Sequence, residues 1–214
     1  MVLPNSMIPN HLKDKFTFAL FTLLFLIFSP SAQAKHLVIF GDSLSAAYGM
    51  ELEQGWAYLL AESIKESHEV TNASISGETS GGGLARLAIT LAELKPDVML
   101  IELGANDGLQ GMPISAMSDN LEQIILMVKK QEIGLALAGI SLPATYGPRY
   151  IDKFRATFRQ LAEKHQLPFI DFYREEFFLE PDFIQQDGLH PTAKTQPIVK
   201  KLVLNFLIDN KLLD

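Results

Sequence analysis

The feature that most constrains this chain is a recurring pair: a short, nearly unbroken apolar run, then a longer amphipathic stretch. His36–Phe40 (HLVIF), Val98–Leu103 (VMLIEL), Leu135–Ile140 (LALAGI) and Pro168–Phe172 (PFIDF) are such runs, and Glu69–Ala73 (EVTNA) is a weaker one. Between and after them, residues 55–66, 84–94, 118–130, 149–165 and 192–209 place apolar side chains at helical spacing. Strands that read as continuous apolar runs are buried on both faces, as in parallel sheets whose crossover helices cover both sides. The chain has 214 residues, enough for one domain with a full core. The expectation is therefore an α/β fold in three layers, α/β/α and flavodoxin-like, with a five-stranded parallel sheet. Such sheets bind ligands beyond the carboxyl ends of their strands, so the chemical residues should lie just after strands.

The N-terminus is set apart from this pattern. Lys13 and Lys15 precede the uncharged run Phe16–Phe28, and Ser29-Pro30-Ser31 leads into Ala32-Gln33-Ala34. That order of basic, apolar and small residues predicts a secretory signal over 1–34, cleaved before Lys35, with Met7 as an alternative start. The apolar run is shorter than the roughly 20 residues that span a bilayer, so no membrane anchor is expected after cleavage. The remaining domain, 35–214, is then expected in the periplasm or outside the cell.

Composition removes several classes of function. The net charge is −7, with no Lys/Arg-rich run, which excludes the basic footprint a nucleic acid demands. Cysteine is absent, so there is no disulfide, thiolate nucleophile or zinc-thiolate site. His68 and His165 lack partners at metal spacing and read as solvated surface; no metal is expected.

Four polar clusters fall where the sheet rule wants them: Gly41-Asp42-Ser43, Ser76-Gly77-Glu78, Gly104-Ala105-Asn106-Asp107, and Asp187-Gly188-Leu189-His190. Each alone suits a helix cap or a turn. Together they complement one another. A serine hydroxyl becomes nucleophilic when an imidazole takes its proton, and His190 does this if Asp187, three residues earlier, holds its other nitrogen. The oxyanion then needs preorganised donors, which the backbone N–H groups of Ser43 and Gly77 and the amide of Asn106 would supply. Glycine at 77 and 104 would let the backbone approach the reacting carbonyl. The small residues after Ser43 are expected to open a helix.

GDSLS, the glycine of SISGETS, GAND and DGLHP resemble the four blocks of the SGNH (GDSL) hydrolase superfamily. The longer strings NASISGETSGGGLARL, ELGANDGLQG and LPATYGPRY resemble its branch of secreted bacterial thioesterases, lysophospholipases and arylesterases. The resemblance implies Ser43 as nucleophile, His190 as base, Asp187 as its orienter, and Gly77 with Asn106 in the oxyanion hole. It also implies hydrolysis of small-molecule esters, of acyl thioesters such as acyl-CoA, or of lysophospholipids without a cofactor, by a chain expected to be monomeric. Ala47 and Thr145 depart from the glycine and asparagine common among relatives, which bears on the shape of the groove.

Other motifs are excluded. GDSLS is not the G-x-S-x-G elbow, because position 45 is serine, and SGGG lacks the Gly-Lys-Ser/Thr of a phosphate loop. Asp42, Leu109, Met112, Pro143 and Tyr146 are candidate substrate contacts, the last two in a loop expected near the site. A polysaccharide O-deacetylase on the same scaffold, or an inactive lipid- or carbohydrate-binding module, are the competing readings.

Overall fold

The computed structural model describes residues 34–172, 180 and 182–214. The predicted signal segment lies outside the described residues. Five strands form one sheet: β1 His36–Gly41, β2 Glu69–Asn72, β3 Val98–Glu102, β4 Gly134–Gly139 and β5 Phe169–Asp171. They are ordered β2-β1-β3-β4-β5 and every pairing is parallel. Six α-helices are described: α1 Trp56–Ile64, α2 Ser80–Leu94, α3 Ala105–Leu109, α4 Ile114–Lys129, α5 Pro148–His165 and α6 Gln196–Asp209. Helix α1 packs with α6, whereas α2, α4 and α5 pack in series. No described helix is long and apolar enough to cross a membrane.

The apolar runs become the core. Leu37 to Phe40 and Val98 to Ile101 have essentially no exposed surface. Each fully buried Leu, Ile, Val or Phe contributes about 1.5–3 kcal/mol by leaving water. The weaker run forms β2, an edge strand with only half-buried centre residues. Because the chain turns from β1 outward to β2 and then crosses back to β3, the crevice between β1 and β3 is the switch point of the sheet.

Several boundaries differ from the sequence reading. Helix α2 starts at Ser80, four residues before the expected Leu84, so the glycine cluster is its first turn. Thr79 caps it by accepting from the N–H of Gly82. Gly83 lies against Leu103 and Phe40, where a methyl group would collide, so packing overrides glycine's poor helix propensity. Helix α4 starts at Ile114, not Ser118, and α6 at Gln196, not Thr192. Residues 192–195 turn instead, held by the Thr192 and Thr195 hydroxyls donating to the Asp182 and Phe183 carbonyls. GAND opens a short helix, α3, rather than a plain turn. Residues 43–49 form successive turns and no regular helix.

Two histidines expected in solvent are not free. The His165 ring lies 2.9 Å from a Glu122 carboxylate oxygen, and His68 Nδ1 accepts from the Lys35 N–H. No group of metal-ligating side chains exists among the described residues.

Candidate active site

The site forms where β1 and β3 end. Ser43 follows β1 by two residues and is half-buried. His190, 147 residues later, places Nε2 at 2.8 Å from Ser43 Oγ. Its Nδ1 lies 2.7 Å from Asp187 Oδ2. A carboxylate only accepts, so Nδ1 carries the proton and Nε2 faces the serine hydroxyl as an acceptor. Asp187 Oδ1 also accepts from the N–H groups of Leu189 (2.9 Å) and His190 (3.0 Å), fixing the tight turn. Partial burial alone would raise the Asp187 carboxyl. The His190 ring and these two N–H groups outweigh it and hold the carboxyl below its ordinary value.

The His190 loop is anchored from both sides. Ile184 and Pro191 form an antiparallel bridge, and Gln185 N–H donates to the His190 carbonyl at 2.7 Å. The Gln185 amide donates to the carbonyls of Tyr48 and Pro191, joining the turn after Ser43 to this loop. The Tyr48 ring stacks on His190 with 4.2 Å between centroids.

Asn106 ties the remaining loops together. Its Nδ2 donates to the Glu78 carbonyl at 2.9 Å and to Asp42 Oδ2 at 3.2 Å, so it bridges the neighbours of Gly77 and Ser43. Both its N–H bonds are engaged in this resting arrangement. The backbone N–H groups of Ser43 and Gly77 donate to no acceptor among the described residues. Gly77 has φ +81° with open space around it, so its backbone angle, not crowding, requires glycine. Gly104, at φ +119°, is different: a Cβ there would press on Met117 and Phe158 at 3.0 Å. Core packing as well as its backbone angle therefore excludes a side chain there.

Asp42 requires a correction. It has no exposed surface and so cannot line an open groove. Its Oδ1 accepts from Leu44 N–H at 3.1 Å and its Oδ2 from Asn106, so it shapes the serine turn from below. Burial pushes its carboxyl up to about 7, helped by Asp107 and Glu78 nearby.

Beneath it lies a residue the sequence reading missed. Glu102, the last residue of β3 and paired in register with Gly41, is fully buried. One carboxylate oxygen accepts from Ser45 Oγ at 2.7 Å and Asp42 N–H at 3.3 Å. Burial, then the Asp42 carboxylate, pushes the Glu102 carboxyl well above its ordinary value. A Cβ on Gly41 would lie 2.5 Å from that oxygen, which accounts for Gly41 and Ser45 on either side of Ser43. The signal was available: a lone carboxylate closing an apolar strand is rarely buried without a task. Asp107, another buried acid, accepts from the N–H and hydroxyl of Ser80. Glu78 forms a two-pronged ion pair with Arg86.

The candidate groove residues group at the same end of the sheet. Tyr146 donates its hydroxyl to the Leu109 carbonyl at 2.9 Å, placing the loop after β4 against α3. Leu109 and Pro143 are half-buried, while Met112 and Tyr146 are exposed. Ala47 has φ +57°, in the left-handed region. Its departure from glycine thus acts through the backbone of the serine turn.

A serine, an imidazole and a carboxylate in one hydrogen-bonded chain, at the switch point of a parallel sheet, have the arrangement of a serine hydrolase. The sequence profile described as the GDSL-like Lipase/Acylhydrolase family matches residues 39–196, and the chain belongs to that family. It is 40% identical to an arylesterase of Vibrio mimicus over 190 residues, 87% of this chain and 95% of that protein. It is 41% identical to the thioesterase 1/protease 1/lysophospholipase L1 of Escherichia coli (strain K12), covering 84% of this chain and 86% of that one. Among solved structures, a psychrotrophic esterase EstA from Pseudoalteromonas sp., inhibited by monoethylphosphonate, superposes with a TM-score of 0.78. That match is 37% identical and covers 84% of this chain and all of the other.

Proposed function

We propose that this protein is a serine hydrolase of carboxylic esters and acyl thioesters, with Ser43 as nucleophile, His190 as base and Asp187 as its orienter. The observation that carries the reading is the position of His190, within hydrogen-bond reach of both Ser43 Oγ and Asp187. In the proposed mechanism Ser43 Oγ attacks the carbonyl carbon and its proton passes to His190 Nε2. The imidazolium is stabilised by Asp187, whose depressed pKa keeps it ionised. The oxyanion is met by the unengaged N–H groups of Ser43 and Gly77. Asn106 joins them by exchanging its longer bond, to Asp42, for the new charge. Collapse expels the alcohol or thiol, which takes the proton from His190, and water then cleaves acyl-Ser43 by the same steps in reverse roles.

The relatives named arylesterase and thioesterase support the two substrate classes. Leu109, Met112, Pro143 and Tyr146 would form the groove wall beside Asn106. The basic, apolar and A-x-A segments of residues 1–34 support export and removal of that leader, leaving a monomeric domain in the periplasm or outside the cell.

The test is a p-nitrophenyl ester series from acetate to palmitate with wild type and Ser43→Ala. Turnover in the wild type and a loss of about 10³-fold or more in the variant are expected. No wild-type turnover, or an unchanged variant, would contradict the reading, and activity confined to acetate would favour the deacetylase.

A further inference from the structure

The turn that presents Ser43 leaves a single backbone donor free. The N–H of Asp42 donates to Glu102 Oε2 at 3.3 Å, and that of Leu44 to Asp42 Oδ1 at 3.1 Å. Those of Ser45 and Ala46 donate to the Asp42 carbonyl at 3.2 and 3.0 Å. The carbonyls of Leu44 and Ser45 accept from Trp56 Nε1 and Asn72 Nδ2. Within residues 42–46 only the N–H of Ser43 has no acceptor among the described residues. The turn is thus clamped around the group that the proposed mechanism aims at the oxyanion.

Glu102 supplies the clamp that reaches across the sheet. Its Oε2 takes two donors that straddle Ser43 in sequence, Asp42 N–H and Ser45 Oγ, the latter at 2.7 Å. Its other oxygen is also buried and meets no donor among the described residues, so the bonds of this side chain go to the serine turn alone. A buried acid with an unpaired oxygen costs stability, which argues for a task rather than for packing. Glu102 closes β3, and Asn106 follows four residues later on the short helix α3. The same strand end therefore holds the serine turn with one residue and carries the Asn106 amide with another. Asp42 Oδ2 also links the two, accepting from Asn106 at 3.2 Å. That bond is the one the amide exchanges for the oxyanion, and the Glu102 contacts are the side-chain link that remains when it does.

We propose that Glu102 is a positioning residue for the reaction: through Asp42 N–H and the Ser45 hydroxyl it fixes the spacing between the Ser43 N–H and the Asn106 amide, so that both meet one oxygen atom. This rests on the Ser43 hydrolase reading above and adds a residue that never touches substrate. Oxyanion donors act on charge that develops in the transition state and scarcely on the resting ester. Misplacing such a group by about 1 Å costs about 10²-fold in rate. The effect therefore belongs in kcat and not in KM.

The experiment measures hydrolysis of p-nitrophenyl butyrate and inhibition by an alkyl trifluoromethyl ketone, whose adduct with a serine carries the oxyanion. Glu102→Leu, assayed below its melting temperature, is expected to lose about 10²-fold in kcat with KM little changed. Its affinity for the ketone should fall in step with kcat. Glu102→Gln keeps an oxygen for Ser45 and the Asp42 N–H and should retain most of the wild-type kcat. Ser45→Ala should lose several-fold in kcat, and adding it to Glu102→Leu should cost little more, because both remove the same contact. A folded Glu102→Leu with unchanged kcat, a loss that falls on KM with ketone binding intact, or a glutamine variant no better than leucine would overturn the proposal and leave the hydrolase reading intact. Should Glu102→Leu not fold, Ser45→Ala decides, and wild-type kcat and ketone affinity in that variant would overturn the proposal. Wild-type protein that leaves the ester untouched, or a Ser43→Ala variant that cleaves it as fast, would remove the hydrolase reading and the proposal with it.

Discussion

Replacing Asp42 with asparagine tests how the buried acids under Ser43 are balanced. Asp42 has no exposed surface, and its carboxyl titrates at about 7 in the fold against 3.8 in the unfolded chain. The proton is therefore held more tightly by the folded state. Below about pH 4 both states are protonated and the carboxyl contributes no penalty. Between about pH 4 and 7 the unfolded chain releases its proton first, and stability falls by about 1.4 kcal/mol per pH unit. Above about pH 7 the loss levels off near 4 kcal/mol, so about 3 kcal/mol disappears between pH 5 and 8. An asparagine amide cannot ionise, so the Asp42→Asn variant lacks this slope. The amide also has one oxygen where Asp42 used two, for Leu44 and Asn106, which subtracts about 1 kcal/mol at every pH. Glu102 adds to the effect, because it loses the negative neighbour that helps to raise it. Urea denaturation at pH 5, 6, 7 and 8, extrapolated to zero denaturant, reads the two stability curves. The curves should diverge by about 3 kcal/mol over that range, the variant gaining as pH rises. Parallel curves would refute the reasoning, since Asp42 would then titrate alike in both states.

Other expectations concern the same turn and its partners. Asp187→Asn should lower kcat by about 10²–10⁴-fold with little change in thermal unfolding, because an amide no longer demands the Nδ1–H tautomer; steady-state kinetics with p-nitrophenyl butyrate measures it. Gly41→Ala brings a Cβ to 2.5 Å from the Glu102 carboxylate and 2.9 Å from its backbone carbonyl, so the melting point should drop by the equivalent of about 1–3 kcal/mol. Ala47→Gly removes a left-handed strain of about 1–2 kcal/mol against about 0.5–1 kcal/mol of added chain entropy, and a small rise in melting temperature is expected. Tyr48→Phe keeps the ring over His190 and should keep kcat, whereas Tyr48→Ala should lower it.

Much of this was legible in the sequence because the strands are continuous apolar runs, and burial on both faces leaves little ambiguity about HLVIF or VMLIEL. The grouping of Ser43, Asp187 and His190 was legible for a different reason: the three complement one another chemically, and the sheet rule says where to look. The boundaries of α2 and α4 were not, since Gly81–Gly83 look like a loop until Leu103 is seen filling the space beside Gly83. Asp42 was misassigned because adjacency to Ser43 suggests contact with substrate, whereas its bonds to Leu44 N–H and Asn106 hold its side chain inward. Glu102 was missed for the same reason in reverse. Its partners, Asp42 N–H and Ser45 Oγ, lie some 60 residues away in sequence and only the pairing of β1 with β3 brings them together.

The central claim is that Ser43 is the nucleophile, and covalent trapping tests it most directly. A p-nitrophenyl alkylphosphonate should add one phosphonyl group per chain, read by intact mass, with peptide mapping placing it on Ser43. Labelling should be absent in Ser43→Ala and slowed by about 10³-fold or more in His190→Ala. A label on Ser45 or Ser74, or labelling that persists in Ser43→Ala, would contradict the account.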